Sequence, residues 1–243
     1  MTAVVAGADG CRGGWLCVLK QVDPPFNERV FIAKTFGSIL HHPSAPAVIA
    51  IDIPIGLPER IAGPGRGCDI TARRLLGPRA ASVFAVPARA ALDAADYAGA
   101  CAAALAASDP PRKISKQMFH LFPKIRELDS LMTPTLQARV FECHPEAAFF
   151  VMNGQQTLQE PKKRGGRVHA PGLDLRRALL AAQGFSGIFL SAAMDRRGGA
   201  GADDVLDACA CAWTAARIFR GEAIRFPDFP PLDPTGLRME ILA

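Results

Sequence analysis

Aromatic residues are scarce in this sequence: one Tyr and two Trp, with all aromatics at 7% of 243 residues. That is too few for an extended base-stacking surface, so capture of single-stranded nucleic acid by stacking is not expected. The seven cysteines (Cys11, Cys17, Cys68, Cys101, Cys143, Cys209 and Cys211) include no C-x-x-C pair, which argues against a zinc site or a thiol redox motif. An odd, scattered set of thiols suits a reducing compartment, and a cytoplasmic location is the expectation. No apolar run reaches the length of a membrane span without charge or proline. The opening MTAVVAGADG has no basic region before its short apolar run, so no signal peptide is expected. Internal repeats are absent. Neither sign of charge dominates: 28 Lys and Arg against 23 Asp and Glu leave a net +5, which suits a phosphate-bearing ligand without requiring one.

What is present is ample core material. Hydrophobic residues make up 49% of the chain, enough for one domain over 1–243 carrying a helical insertion at 58–134. Residues 3–9 and 15–20 read as strands joined by the Gly-rich turn 10–14, and 29–34 as a third strand, so the chain opens as a meander. After a short helix at 36–42, residues 47–53 form an apolar, β-branched run of the kind buried on both faces of a parallel sheet. The inserted stretch carries helices at 69–76, 93–108 with Asp93 near the start, and 115–131, where Pro123 is expected to kink or split the helix. Residues 139–143 read as a brief strand, 144–152 as a helix, 153–171 as a polar basic loop, and 173–183 as an amphipathic helix. A long helix at 203–220 has Asp203 as its expected N-cap, and 238–242 reads as a last strand.

The acids fall at informative places. Asp9 closes the first strand, Asp52 the fourth and Glu142 the fifth, and in α/β sheets ligand sites gather beyond the carboxyl ends of parallel strands. If the first and fourth strands are parallel neighbours, Asp9 and Asp52 lie about 5 Å apart. Carboxylates that close repel unless a proton or a cation sits between them, and Mg²⁺ or Mn²⁺ is the natural partner for oxygen ligands. Asp204 and Asp207 are three apart on one helix face. The small-residue run Asp207-Ala-Cys-Ala-Cys-Ala lets that helix approach the sheet closely. The plain alternative for Asp203 is capping alone. An acid closing an apolar buried strand is costly unless it is used.

The segments GADGCRGGW (7–15), IDIPIGLP (51–58), ECHPE (142–146) and DDVLDACACAWTAAR (203–217) closely resemble the DUF429 family, described as predicted ribonuclease H-like nucleases. The likeness spans nearly the whole chain. It implies a ribonuclease H-like fold: a mixed five-stranded sheet flanked by helices, with three antiparallel strands followed by alternating helices and strands. The spacing Asp204-x-x-Asp207-Ala also resembles the final helix of Holliday-junction resolvases of that superfamily. By that likeness Asp9, Asp52, Asp204 and Asp207 match acids that hold two divalent metals, whereas Glu142 has no counterpart.

The expected activity is therefore two-metal hydrolysis of a phosphodiester. Asp9 would bridge both ions, Asp52 and Glu142 would hold one, and Asp204 and Asp207 the other. Arg12, Arg66, Arg73, Lys116 and Lys124 are the candidate phosphate contacts. For the arginines, ion pairing with neighbouring acids is the equal alternative. For Trp15 the alternative is the core, and for His144 a cap or a satisfied core position. Lys162, Lys163, Arg164 and Arg167 are expected to meet phosphates from the 153–171 loop. The expected partner is a nucleic acid or nucleotide substrate, with a homodimer open and no membrane. Two other readings share this core: a nucleotide-dependent phosphotransferase or ATPase of the actin-like type, and a non-catalytic binding protein. The actin-like class duplicates its domain, which this chain does not.

Overall fold

In a computed structural model, which describes residues 2–195 and 199–243, the chain is mixed α/β. Its strands, in chain order, are β1 (Val4–Cys11), β2 (Gly14–Gln21), β3 (Glu28–Ala33), β4 (Ile49–Ile51), β5 (Ile61–Ala62), β6 (Ser108–Asp109), β7 (Val140–Glu142), β8 (Lys163–Arg164), β9 (Arg167–Val168), β10 (Arg225–Phe226) and β11 (Ile241–Leu242). Its helices are α1 (Phe36–Leu40), α2 (Gly67–Leu76), α3 (Tyr97–Ala106), α4 (Lys116–Leu131), α5 (Pro145–Met152), α6 (Ala170–Ala182), α7 (Gly187–Met194) and α8 (Ala202–Arg220). Two compact units form: Met1–Ile53, Arg139–Ile224 and Leu242–Ala243 make the first, Pro54–Ala138 and Arg225–Ile241 the second. The second unit thus takes in 225–241 as well as the 58–134 span.

The first unit is built on a five-stranded sheet of order β3-β2-β1-β4-β7. β1, β2 and β3 pair antiparallel, while β4 runs parallel to both β1 and β7. The β1–β2 turn is two residues, Arg12–Gly13, between the paired Cys11 and Gly14. Gly14 holds φ +134°, and a Cβ there would meet the Ala33 carbonyl at 2.1 Å, so only glycine fits. Helix α8 lies chiefly on β1. Its residues Val205 to Ala216 are all buried, with β1 on one side and α5, α6 and α7 also in contact; a helix apolar all round belongs in a core. The close approach depends on Gly7, where a Cβ would fall 2.0 Å from the Ala212 nitrogen and 2.1 Å from the Ala208 oxygen.

The second unit carries α2, α3, α4 and the short parallel pair β5–β6. α4 runs through Pro123 as one helix, so of the expected kink or split the split does not occur; that proline is exposed, where solvent can reach the carbonyl left without its helical donor. α3 starts at Tyr97, later than the expected 93, and is capped by Asp96, which accepts from the Gly99 N–H at 2.7 Å. Two other departures lie in the first unit. α7 was not foreseen, and the basic loop contains the hairpin β8–β9. Among the described residues, no helix is long and apolar enough to cross a membrane.

Candidate metal centre

The geometry of the site follows from strand alternation and one ladder's end. The parallel β1–β4 register stops at Ala8↔Ile51, and the Asp52 N–H donates to the Ala8 carbonyl at 3.0 Å. β1 itself continues to Cys11 through its pairing with β2, so Asp9 sits inside that strand rather than at its end. Successive side chains in a strand face opposite ways. Gly7 faces α8, so Asp9, two residues on, does too. Ala50 is the partner of Gly7, which puts Asp52 on the same face. Asp207 immediately precedes Ala208, the helix residue whose oxygen nearly touches Gly7. One carboxylate oxygen each from Asp9, Asp52 and Asp207 therefore lies within 4.8 Å of the other two.

The same alternation removes Glu142. It pairs with Ile51, not Ala50, and so points to the face of the sheet away from Asp9 and Asp52. Its neighbour Cys143 faces α8, donating from Sγ to Thr214 Oγ1 at 3.4 Å. Glu142 is buried but outside the carboxylate group. Asp204 is also outside it: its Oδ2 accepts the Gly201 N–H at 2.7 Å, closing the first turn of α8 whose N-cap is Gly201. Asp203, expected as the cap, instead pairs with Lys163 at 2.6 Å.

Burial is the largest force on the grouped acids. It drives the Asp9 carboxyl well above its ordinary value, with the charges of Asp52, Asp207 and Asp204 adding and Lys162 opposing. Asp52 is pushed up to about 7 by burial, Asp207 and Glu146, again against Lys162. Burial also raises Asp207, although the charge and hydrogen bond of Lys162 pull it down. Asp204 is raised by burial and by Asp203 and Asp207, with the Gly201 N–H opposing. Without a cation, burial and mutual repulsion favour the protonated forms of these acids.

Two groups that the sequence did not place at the carboxylates shape this field: Lys162, expected at a phosphate, and Glu146. Lys162 bonds Asp207 Oδ2 through Nζ; burial would lower its pKa, but Asp207, Asp52 and Glu146 hold it well above the usual lysine range. Glu146, in the first turn of α5, is bound by the fully buried Arg176, whose Nη2 reaches both of its oxygens at 2.7 and 2.8 Å. Arg176 also donates to the Glu160 carbonyl at 3.0 Å and the Gly172 carbonyl at 2.7 Å, tying α6 to the base of the β8–β9 hairpin. Acidic first-turn residues ordinarily read as helix-dipole partners, and no local signal distinguishes Glu146 from that.

The donor set fits a divalent ion. Three carboxylate oxygens within 4.8 Å of one another match the span of ligands around one ion, whose metal–oxygen distances are about 2.0–2.6 Å. Asp207 supports the fit: its Oδ1 is buried and, among the described residues, has no hydrogen-bond partner. A buried, unsatisfied carboxylate oxygen is destabilising unless something binds it.

The other candidates have local tasks. Arg12 is exposed at the hairpin turn. Trp15 is in the core, edge-on to Phe36 at 5.6 Å. His144 occupies the N-cap position of α5 without capping through its side chain. In the second unit, Arg66 is buried, paired with Asp69 at 2.7 Å and donating to the Ile55 and Gly56 carbonyls. Arg73 donates to the Val83 and Phe84 carbonyls. These arginines are thus committed to the fold, the ion-pair alternative holding for Arg66. Lys116 is exposed at the start of α4 and Lys124 half-buried within it.

Comparison with curated proteins and with solved structures yields no match. The family model of DUF429, a protein of unknown function, matches residues 7–231, nearly the whole chain, and this protein therefore belongs to the DUF429 family.

Proposed function

We propose that the protein is a divalent-metal-dependent phosphodiester hydrolase, a nuclease, on a ribonuclease H-like sheet. The observation that carries this reading is the trio of Asp9, half-buried Asp52 and buried Asp207, each offering an oxygen within 4.8 Å of the others. The order of three antiparallel strands followed by two parallel ones, with acids beyond the shared end of β1 and β4, supports the fold assignment. Asp9, Asp52 and Asp207 would hold Mg²⁺ or Mn²⁺, which when bound would supply an acidified water and charge stabilisation for a leaving oxygen.

The chain's own residues set the conditions for that chemistry. Asp9 and Asp52 are held side by side by the parallel ladder, and α8 brings in Asp207 from above the sheet. Gly7 fixes the helix height on which that meeting depends. Partial burial limits the water around the acids and strengthens their charges. Glu146, anchored by Arg176, adds negative potential at Asp52. The exposed Arg167 of the β8–β9 hairpin, with Arg164 whose pairing to Glu160 at 3.1 Å is solvent-exposed, is the basic surface offered to a nucleic-acid backbone, while Lys162 and Lys163 are engaged with Asp207 and Asp203. All seven cysteines are free thiols, in keeping with a cytoplasmic protein.

The test is a hydrolysis panel on metal-stripped protein given Mg²⁺ or Mn²⁺. Substrates are single-stranded, duplex and branched DNA and RNA, plus a small aryl phosphodiester. Metal-dependent cleavage that falls at least about 10²-fold in Asp9→Asn is expected, the scale of removing a principal electrostatic group from a site. Cleavage undiminished by that change overturns the assignment. ATP turnover without phosphodiester cleavage would favour the actin-like phosphotransferase instead.

A further inference from the structure

We propose that Lys162 is a resident cation of the acidic site, standing where a second metal ion would otherwise be needed, so that the centre takes one divalent ion rather than two. The inference rests on the metal-site reading above and concerns its stoichiometry.

Charge pairing makes the case. The carboxylates that interact around the trio are Asp9, Asp52, Asp207, Asp203, Asp204 and Glu146. Three have a cation of their own: Glu146 has Arg176, Asp203 has Lys163, and Asp207 has Lys162. Asp204 is half-buried and takes a backbone N–H. Among the described residues, that leaves Asp9 and Asp52 as the pair without an ion-pair partner, two negative charges for one divalent ion. Asp207 is divided between the two roles. Its Oδ2 is held by Lys162, while its buried Oδ1 is unpartnered and free to ligate.

Lys162 is held in place from outside the site. Gly172 lies so close to the hairpin base that a Cβ would fall 1.9 Å from the Pro161 oxygen, and Arg176 grips the Glu160 carbonyl at 3.0 Å. The two residues before Lys162 are thus fixed to α6, and the His169 N–H closes the hairpin on the Lys162 carbonyl at 2.9 Å. The lysine side chain is only 26% exposed. A surface lysine would not be anchored from both sides or aimed at a buried carboxylate. The geometry is that of a permanent charge within the centre.

The experiment counts ions. Metal-stripped full-length protein is titrated with MnCl₂ by calorimetry, with bound Mn²⁺ counted by electron paramagnetic resonance. One Mn²⁺ per chain is expected in the wild type. Lys162→Met should bind its first Mn²⁺ about tenfold or more tightly, the scale of removing one unit charge about 4 Å away, and should admit a second ion. Lys162→Arg should restore the wild-type count. Circular dichroism checks the fold, and Lys162→Gln carries the same expectation if Lys162→Met fails to fold. Two ions in the wild type, or unchanged or weaker binding in the uncharged variants, overturns the role of Lys162 while leaving the trio as a metal site. No saturable Mn²⁺ binding in the wild type overturns the metal-site reading and this inference with it.

Discussion

Asp233, buried in the second unit, and Asp52, half-buried in the first, are acids with opposite fates. Asp233 accepts from the Leu57, Thr235 and Leu237 N–H groups, the Thr235 hydroxyl and Arg89, at 2.7 to 3.0 Å. Burial pushes it up, but those bonds outweigh burial and hold its carboxyl below the usual range. Asp52 meets mainly other acids, and burial with Asp207 and Glu146 drives it up to about 7. A carboxylate wrapped in donors stabilises a fold, whereas one crowded by like charge is destabilising until a ligand arrives. The Arg66–Asp69 pair belongs with Asp233, and the trio of the first unit stands on the other side.

The contrast has a sign that mutation can test. Asp233→Ala leaves several buried donors without an acceptor and should lower stability by about 3 kcal/mol in urea unfolding. Asp52→Asn removes one of several repelling charges and should raise the stability of the metal-free protein at pH 8 by about 1 kcal/mol. Equal losses from both substitutions would erase the distinction.

Proton linkage gives a second, smaller contrast. The native state keeps a proton on Asp52 that the unfolded chain releases near pH 4, so metal-free stability should fall as pH rises from about 4 towards 7. Asp233 works the other way: its lowered carboxyl contributes stability above about pH 4 that is lost on further acidification. The metal competes with the trio's protons, so Mn²⁺ affinity measured calorimetrically should rise from pH 5.5 to pH 8. A flat affinity over that range would separate the trio from the ion. The smallest effect belongs to the hairpin surface. Arg164→Ala with Arg167→Ala should flatten the log–log salt dependence of nucleic-acid binding by at most about two, since each contributes about one phosphate contact.

Much of this arrangement was legible in the sequence, and what was not has identifiable causes. Asp9 and Asp52 stood out because each interrupts an apolar run, and Asp207 because it opens a small-residue stripe. The sheet's opening meander and its parallel strands carried clear turn and β-branched signals. Glu142 looked equivalent to Asp52 because both follow apolar strand residues. The register that turns it to the other face is a property of pairing, which one sequence does not display. Lys162 read as a loop cation for phosphate because its neighbours are Lys, Arg and Gly; its place beside Asp207 depends on Gly172 and Arg176, contacts made through the tertiary fold. α7 is only eight residues long, too short for a periodic pattern to declare itself.

Thermal unfolding of the metal-stripped protein with and without millimolar Mn²⁺ tests the central claim most directly. A ligand that binds only the native state raises the melting temperature. The account expects a clear rise in the wild type, an equal rise in Asp233→Asn measured from its own lower baseline, and almost none in Asp9→Asn. A wild type indifferent to Mn²⁺, or an Asp9→Asn variant that rises as much as the wild type, would contradict it.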